Sequence, residues 1–267
     1  MVPAMVALAL QADGWFLRSD IIWHKKNPMP ESCTDRPTTA HEHIFLLTKS
    51  SRYFYDAEAV KEGREGNTHS RGSKKTPPIE SAGVGHKDWC AYMTKDGELT
   101  SRNLRTVWTI ATAPFPQAHF ATFPPAIPER CIKAGTSEWG CCPKCGAPWR
   151  RVVEKGTAPD LSAKGSRFDL GKTGINGQGR TQPGERFLNE TTGWTPTCTH
   201  GLEPVPQTVL DIFSGAGTTA LVAAKLGRDA IGIELNPAYV EMSRKRIAGE
   251  MGMLCEITSP SPLQTPP

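Results

Sequence analysis

The sequence predicts an α/β fold of the doubly wound kind, built on a mostly parallel sheet. Two short apolar segments near the C-terminus, 208–213 and 230–234, have the length and branched side chains of buried strands. A helical segment, 218–226, separates them, and two strands joined through a helix are parallel. A second helix is predicted over 237–250.

The N-terminal sixty residues supply further elements of this sheet. The pattern predicts an apolar helix over 2–12 and buried strands at 21–23 and 44–47. Nucleotide-binding sheets normally continue for several strands after such a C-terminal unit, but only about 30 residues follow Asn236. The remaining strands must therefore come from the N-terminal half, which implies a permuted strand order.

Composition excludes several classes of protein. The formal net charge of +4 is too small to identify a polyanionic partner by itself. No run of about 18 uncharged apolar residues is present, so a membrane span is excluded. The 8 cysteines cluster instead of spreading as a disulfide framework does, and the N-terminus lacks the basic start of a signal peptide. We therefore expect a cytoplasmic protein.

A glycine turn joins the first C-terminal strand to its helix. Gly215 and Gly217 allow the backbone to turn tightly and to approach a ligand where a Cβ would clash. Glu234 ends the next strand, about twenty residues further on, where a carboxylate can bind both hydroxyls of a ribose. Together these residues predict a pocket for a nucleoside cofactor.

Asp211 helps to distinguish between two candidate cofactors, a dinucleotide and S-adenosylmethionine. Gly215, Gly217 and Ala220 also fit the dinucleotide pattern G-x-G-x-x-G/A. However, a carboxylate at the strand end would repel a pyrophosphate, whereas it suits S-adenosylmethionine, whose sulfonium and ammonium groups are cationic. S-adenosylmethionine is favoured, and a dinucleotide or a purely structural strand-to-helix turn remain the alternatives.

The same segments resemble a known family. Asp-Ile-Phe-Ser-Gly-Ala-Gly-Thr-Thr (211–219) and Gly-Ile-Glu-Leu-Asn-Pro-Ala-Tyr (232–239) resemble motifs of the permuted (beta-type) S-adenosylmethionine-dependent DNA amino-methyltransferases. These enzymes modify N6 of adenine or N4 of cytosine. Segments 14–25, 36–44 and 119–124 resemble further parts of the family in the expected order. The resemblance implies a methyltransferase-like sheet, double-stranded DNA as partner and a cognate restriction nuclease as a candidate second partner.

The resemblance also implies the cofactor contacts. They are Asp211, Phe213, Gly215, Gly217, Thr218, Thr219, Glu234 and Asn236, with His119, Phe120 and Phe123 closing over the methionine part.

The family's catalytic motif, Asp/Asn/Ser-Pro-Pro-Tyr/Phe, does not occur in this sequence. The Pro-Pro pairs at 77–78, 124–125 and 266–267 lack the required neighbours. In the family this loop accepts hydrogen bonds from the target amino group and stacks on the flipped base. We therefore assign no catalytic residue and expect a truncated chain that transfers methyl groups slowly or not at all. The alternatives are a non-catalytic, zinc-containing nucleic-acid-binding remnant, and a methyltransferase for small molecules or proteins.

A small metal site is predicted from the cysteine spacing. Cys142 and Cys145 form a knuckle in which two thiolates face one ion, and Cys198 and His200 are the expected partners. Cys141 is an alternative to Cys142. Four protein ligands leave no open position, so the metal would be a structural zinc. Reduced thiols without metal and a redox pair remain alternatives.

Residues 61–105 are rich in Lys, Arg, Gly and Ser, as in basic segments that follow DNA phosphates; an ordinary solvated loop is the alternative. The predicted organisation is 1–60, first part of the methyltransferase domain; 61–105, DNA-recognition region; 106–140, cofactor-closing segment; 141–200, zinc-knuckle insert with a flexible stretch at 155–192; 201–258, cofactor-binding part; and 259–267, a loose tail.

Overall fold

The computed structural model describes residues 1–63, 101–113, 122–154, 189–252 and 255–258. The chain divides into two compact units: Met1–Val60, Arg105–Arg150 and Trp194–Pro267 form the first, and Lys61–Leu104 and Arg151–Gly193 form the second. In chain order the elements are α1 (Val2–Ala12), β1 (Phe16–Lys25), β2 (His41–Thr48), β3 (Glu62–Gly63), β4 (Ser101–Arg102), β5 (Val107–Ile110), α2 (Ala126–Gly135), β6 (Arg150–Glu154), β7 (Glu190–Thr195), β8 (Thr208–Asp211), α3 (Thr218–Lys225), β9 (Asp229–Gly232) and α4 (Pro237–Met251).

A three-stranded mixed sheet contains the N-terminal strands in the order β2-β1-β5. Strand β1 pairs antiparallel with β2 and parallel with β5. The indole of Trp23, only 4% exposed, donates a hydrogen bond to the carbonyl of Ile110 at 2.9 Å, which ties β1 to the end of β5. The predicted helix and both predicted strands of this region are confirmed.

The C-terminal unit of strand, helix and strand has the predicted parallel arrangement. Strands β8 and β9 pair in parallel from Thr208 opposite Asp229 to Asp211 opposite Gly232. A core of Ile132, Val222 and Ala223 joins α2 to α3, and Val209 of β8 packs against it. Both strands end earlier than predicted, and at β8 the reason is that the backbone beyond Asp211 enters the glycine turn.

Strand β8 is covered on one face, whereas the opposite face of the β8–β9 pair is apolar and exposed. Val209 packs toward α2 and α3, so side chains of opposite parity point away from this core. Leu210, Ile212, Ile231 and Ile233 lie on that opposite face and are about half exposed in the described chain. The observed α/β pairing is consistent with the predicted class, while the doubly wound layering and the permuted order remain predictions.

The described residues also form two short two-stranded sheets, in which β3 pairs with β4 and β6 pairs with β7. The prediction of irregular chain up to residue 192 was wrong at its end, because β7 already begins at Glu190. The rest of 155–192, most of 61–105 and the predicted tail 259–267 lie outside the described residues. Among the described helices, none has the length and apolar character needed to cross a bilayer.

Candidate cofactor and metal sites

The glycine turn between β8 and α3 depends on left-handed backbone. Gly215 and Gly217 have φ of 50° and 71°, a region that favours glycine. The amide of Gly217 donates to the carbonyl of Ser214 at 2.8 Å, which closes the turn just before α3. A Cβ at residue 217 would lie 2.1 Å from Oγ of Ser243 in α4. Both conformation and space therefore require glycine at 217.

The carboxylate of Glu234 lies against this turn. Its two oxygens accept hydrogen bonds from the backbone amides of Gly215 and Asn236, each at 2.8 Å. The hydrogen bonds from the amides of Asn236 and Gly215 are the main reason why the pKa of Glu234 lies below its usual value. Each carboxylate oxygen has a further lone pair, so Glu234 can still accept hydrogen bonds from two ribose hydroxyls.

Asp211 ends β8 directly opposite Gly232 of β9. Its carboxylate accepts a hydrogen bond from the amide of Phe213 at 3.0 Å and remains partly exposed. The ring of Phe213 is 83% exposed. Asp211 and Glu234 thus place two carboxylates at the carboxyl ends of neighbouring parallel strands, which is where α/β sheets bind ligands.

Some of the predicted cofactor residues line one of two cavities. A cleft of about 1030 Å³ runs between β9 and α4, and its lining includes Gly215 and Glu234. A second cavity of about 450 Å³ lies beside α2, and its lining includes Phe123 and Thr219. These four predicted contacts are therefore divided between two cavities, and the other described ones line neither: Asp211, Phe213, Gly217, Thr218 and Asn236. His119 and Phe120 lie outside the described residues.

Other predicted cofactor residues have structural partners. The side chain of Asn236 accepts a hydrogen bond from the amide of Ala238 at 3.0 Å and caps the N-terminus of α4. Thr218 is buried at the start of α3, and its hydroxyl accepts a hydrogen bond from Arg246. The sequence did not point to Arg246 or to Ser243, because both lie in α4, distant along the chain from the turn that they contact.

The four predicted metal ligands lie together. One ligand atom from each of Cys142, Cys145, Cys198 and His200 is within 4.8 Å of every other. Sγ of Cys142 is 3.6 Å from Nδ1 of His200. Tetrahedral zinc with the usual Zn–S and Zn–N lengths requires a sulfur-to-nitrogen separation of about 3.6 Å. Cys142 belongs to this cluster, whereas Cys141 does not.

Local backbone hydrogen bonds form the knuckle. The amide of Gly146 donates to the carbonyl of Cys142 at 2.8 Å, and the amide of Cys142 donates to the carbonyl of Ala147 at 2.9 Å. Cys141 exchanges two backbone hydrogen bonds of 2.9 Å with Val205, just before β8. Burial opposes ionisation of Cys142, but hydrogen bonds from the amides of Cys145 and Lys144 and from neighbouring thiols lower its pKa to about 6.

Comparison with known proteins assigns the family. The model of the family described as DNA methylase (N6_N4_Mtase) matches residues 2–142 and 202–245. The type II methyltransferase M.Cfr9I of Citrobacter freundii is 33% identical over 93% of this chain and 50% of its own length. M.SmaI of Serratia marcescens is 31% identical over 92% of this chain and 51% of its own length. A solved structure, the PvuII DNA methyltransferase (cytosine-N4-specific), aligns with a TM-score of 0.45 at 15% identity, covering 95% of this chain and 63% of that chain.

The chain spans about half the length of the curated relatives that it matches. Because the family model covers most of its residues, the chain belongs to the N6/N4 DNA methylase family.

Proposed function

We propose that this chain binds S-adenosylmethionine for transfer of its methyl group to an exocyclic amino group, N6 of adenine or N4 of cytosine, in double-stranded DNA. Bound at Asp211 and Glu234, S-adenosylmethionine would supply an electrophilic methyl group to that amino nitrogen. Family membership supports this reaction class. The named relatives are type II methyltransferases, so a cognate restriction nuclease remains a predicted partner.

The observation that carries the proposal is the position of Glu234. Its carboxylate is held by the amides of Gly215 and Asn236, so it faces the cofactor cleft with a restricted orientation. A ribose placed there would find a preorganised acceptor, and preorganisation lowers the cost of binding. Asp211, at the end of the adjacent strand, would face the cationic methionine part.

These residues would bind and orient the cofactor. Asp211 fits S-adenosylmethionine better than a dinucleotide, because a carboxylate at this strand end would repel a nearby pyrophosphate, whereas a ribose contact by Glu234 suits both cofactors. We assign no base-contacting or catalytic residue in this chain. The basic region 61–105 is our predicted DNA contact, and we expect the protein to act in the cytoplasm, where its DNA substrate is found.

Calorimetric titration with S-adenosylmethionine tests the cofactor site. We expect the unsubstituted chain to bind, and Glu234→Gln to weaken binding about tenfold or more, because one charged acceptor is lost. Glu241→Gln is the matched control, since Glu241 is 59% exposed on α4, lines neither cavity, and undergoes the same change from acid to amide. Equal losses in both variants, or no binding by the unsubstituted chain, would contradict the assignment. Radiolabelled methyl transfer to DNA then separates an active enzyme from a cofactor-binding remnant.

We also propose that Cys142, Cys145, Cys198 and His200 hold a structural zinc ion. The tetrahedral fit of the Cys142-to-His200 distance supports this set. Protein purified with zinc should contain about one zinc per chain, and Cys142→Ser and Cys198→Ser should reduce that content. Cys33→Ser is the control, because Cys33 is exposed and belongs to no metal cluster among the described residues. Metal-free wild-type protein would refute the site.

A further inference from the structure

Helix α4 contacts the glycine turn through a guanidinium group. The Arg246 guanidinium donates hydrogen bonds to the carbonyl of Ala216 at 3.2 Å and to the hydroxyl of Thr218 at 3.0 Å. Both acceptors are buried, and the Arg246 side chain is only 14% exposed. Charge-assisted hydrogen bonds at sites of low exposure are stronger than bonds between neutral groups in water.

The same guanidinium is itself held in place. Nε of Arg246 lies 3.7 Å from a carboxylate oxygen of Glu250, one helical turn further along α4. Glu250 also accepts a hydrogen bond from Lys225, the last residue of α3. This hydrogen bond from Lys225, together with the charges of Lys225 and Arg246, lowers the pKa of Glu250, so the carboxylate stays ionised. Helix α4 is thereby joined to α3 at both ends of α3.

The glycine turn is thus held from two sides. Glu234 accepts from the amide of Gly215 on one side, and Arg246 donates to Ala216 and Thr218 on the other. The turn also has its own backbone hydrogen bond from Gly217 to Ser214, but Gly215 and Gly217 have the widest backbone freedom of any residue type. A donor that fixes a carbonyl and a hydroxyl within the turn removes that freedom before a ligand arrives.

We propose that Arg246 is a positioning residue for S-adenosylmethionine, acting through the glycine turn and not by direct contact. This inference rests on the proposed cofactor site. The turn directly follows Asp211, the carboxylate assigned to the cationic methionine part, whereas the ribose is assigned to Glu234. Glu234 also accepts a hydrogen bond from the turn at Gly215, but its second donor, the amide of Asn236, lies outside the turn and keeps the carboxylate in place. Loss of Arg246 should therefore weaken contacts to the methionine part more than contacts to the nucleoside.

Two ligands measure this difference. 5′-Methylthioadenosine keeps the adenosine and lacks the amino-acid group, so it reports the nucleoside contacts alone. For Arg246→Gln we expect the Kd of S-adenosylmethionine to rise about tenfold, and that of methylthioadenosine to rise less than about threefold. Arg246→Lys keeps the charge but not the two-donor geometry, so it should recover part of the loss. Lys245→Gln is the matched control, because Lys245 is 76% exposed on the same helix, and it should bind like the unsubstituted chain.

The outcomes are distinct. Unchanged S-adenosylmethionine affinity in Arg246→Gln, or equal weakening for both ligands, would overturn the positioning role. No binding by the unsubstituted chain would overturn the proposed cofactor site as well. If Arg246→Gln does not fold, Arg246→Lys serves in its place, since it keeps the charge and changes the donor geometry at Ala216 and Thr218. The same preferential loss of S-adenosylmethionine affinity is then expected, and its absence overturns the proposal.

Discussion

Replacing Gly217 by alanine tests how closely α4 packs on the glycine turn. Two costs add at this position. A residue other than glycine with φ of 71° costs roughly 1–2 kcal/mol. The new Cβ would also lie 2.1 Å from Oγ and 2.9 Å from Cβ of Ser243, and overpacking of this kind costs roughly 1–3 kcal/mol. We therefore expect Gly217→Ala to lower the free energy of unfolding by about 2–5 kcal/mol.

Gly227 provides a matched control for the backbone cost alone. Its φ is 72°, and no atom lies within 4 Å of a Cβ built there. Gly227→Ala should therefore lose only the roughly 1–2 kcal/mol of the left-handed backbone. The difference between the two variants, measured by urea unfolding monitored by circular dichroism, gives the steric cost at residue 217.

A second substitution checks the identity of the clashing group. Ser243→Gly removes both Oγ and Cβ, at its own cost of about 1 kcal/mol in a helix. The double variant Gly217→Ala, Ser243→Gly should be more stable than the sum of the single losses by about 1–3 kcal/mol. Strict additivity, or equal losses in the alanine variants at 217 and 227, would refute the packing described here.

Three further predictions concern stability. Asn236→Ala removes the cap of α4 and should cost about 1 kcal/mol in urea unfolding, whereas Asn236→Asp, which keeps an acceptor, should cost only a few tenths; equal losses would contradict the capping role. Because backbone amides lower the pKa of Glu234, its carboxylate stabilises the fold above the unfolded-state pKa, and this contribution disappears as the pH falls through the folded-state pKa. Glu234→Gln should therefore be less stable than wild type at pH 7, and the difference should shrink as the pH falls below the ordinary glutamate pKa of about 4.3 in a pH series of unfolding curves; a difference independent of pH would argue against those hydrogen bonds. Trp23→Phe removes the indole donor to the carbonyl of Ile110 and should lower the free energy of unfolding by about 1–3 kcal/mol. Trp139→Phe, at an exposed position, should lower it less; a larger loss at residue 139 would contradict the buried hydrogen bond of Trp23.

Elements with strong local signals could be predicted from sequence. Helix α1 has the predicted bounds, and α4 differs by one residue at its C-terminal end. The start of α4 was predictable because Asn236 followed by Pro237 is a typical helix N-terminus. The cysteine knuckle of the metal cluster was predictable for the same reason, since Cys142 and Cys145 are spaced as zinc ligands. Its partners Cys198 and His200 were predictable only from the need for four ligands, because His200 is 58 positions from Cys142.

Features that depend on distant residues could not be predicted. Strand β7 contains few apolar side chains, so its period gives no signal, and its extended form depends on pairing with β6. The acceptors of Arg246 lie 30 and 28 positions away, and the sequence of α4 has no pattern that identifies this arginine among its basic neighbours. The division of cofactor residues between two cavities likewise follows from how α2 and α4 pack, which no local pattern reports.

The pairing of Cys141 with Val205 has an evolutionary consequence. It brings together the two ends of a long stretch of chain immediately before the strand that leads to the cofactor turn. Closing a flexible loop becomes harder by only about 0.6 kcal/mol for each doubling of its length. Residues can therefore be gained, lost or exchanged between Cys145 and Cys198 while β8 keeps its place.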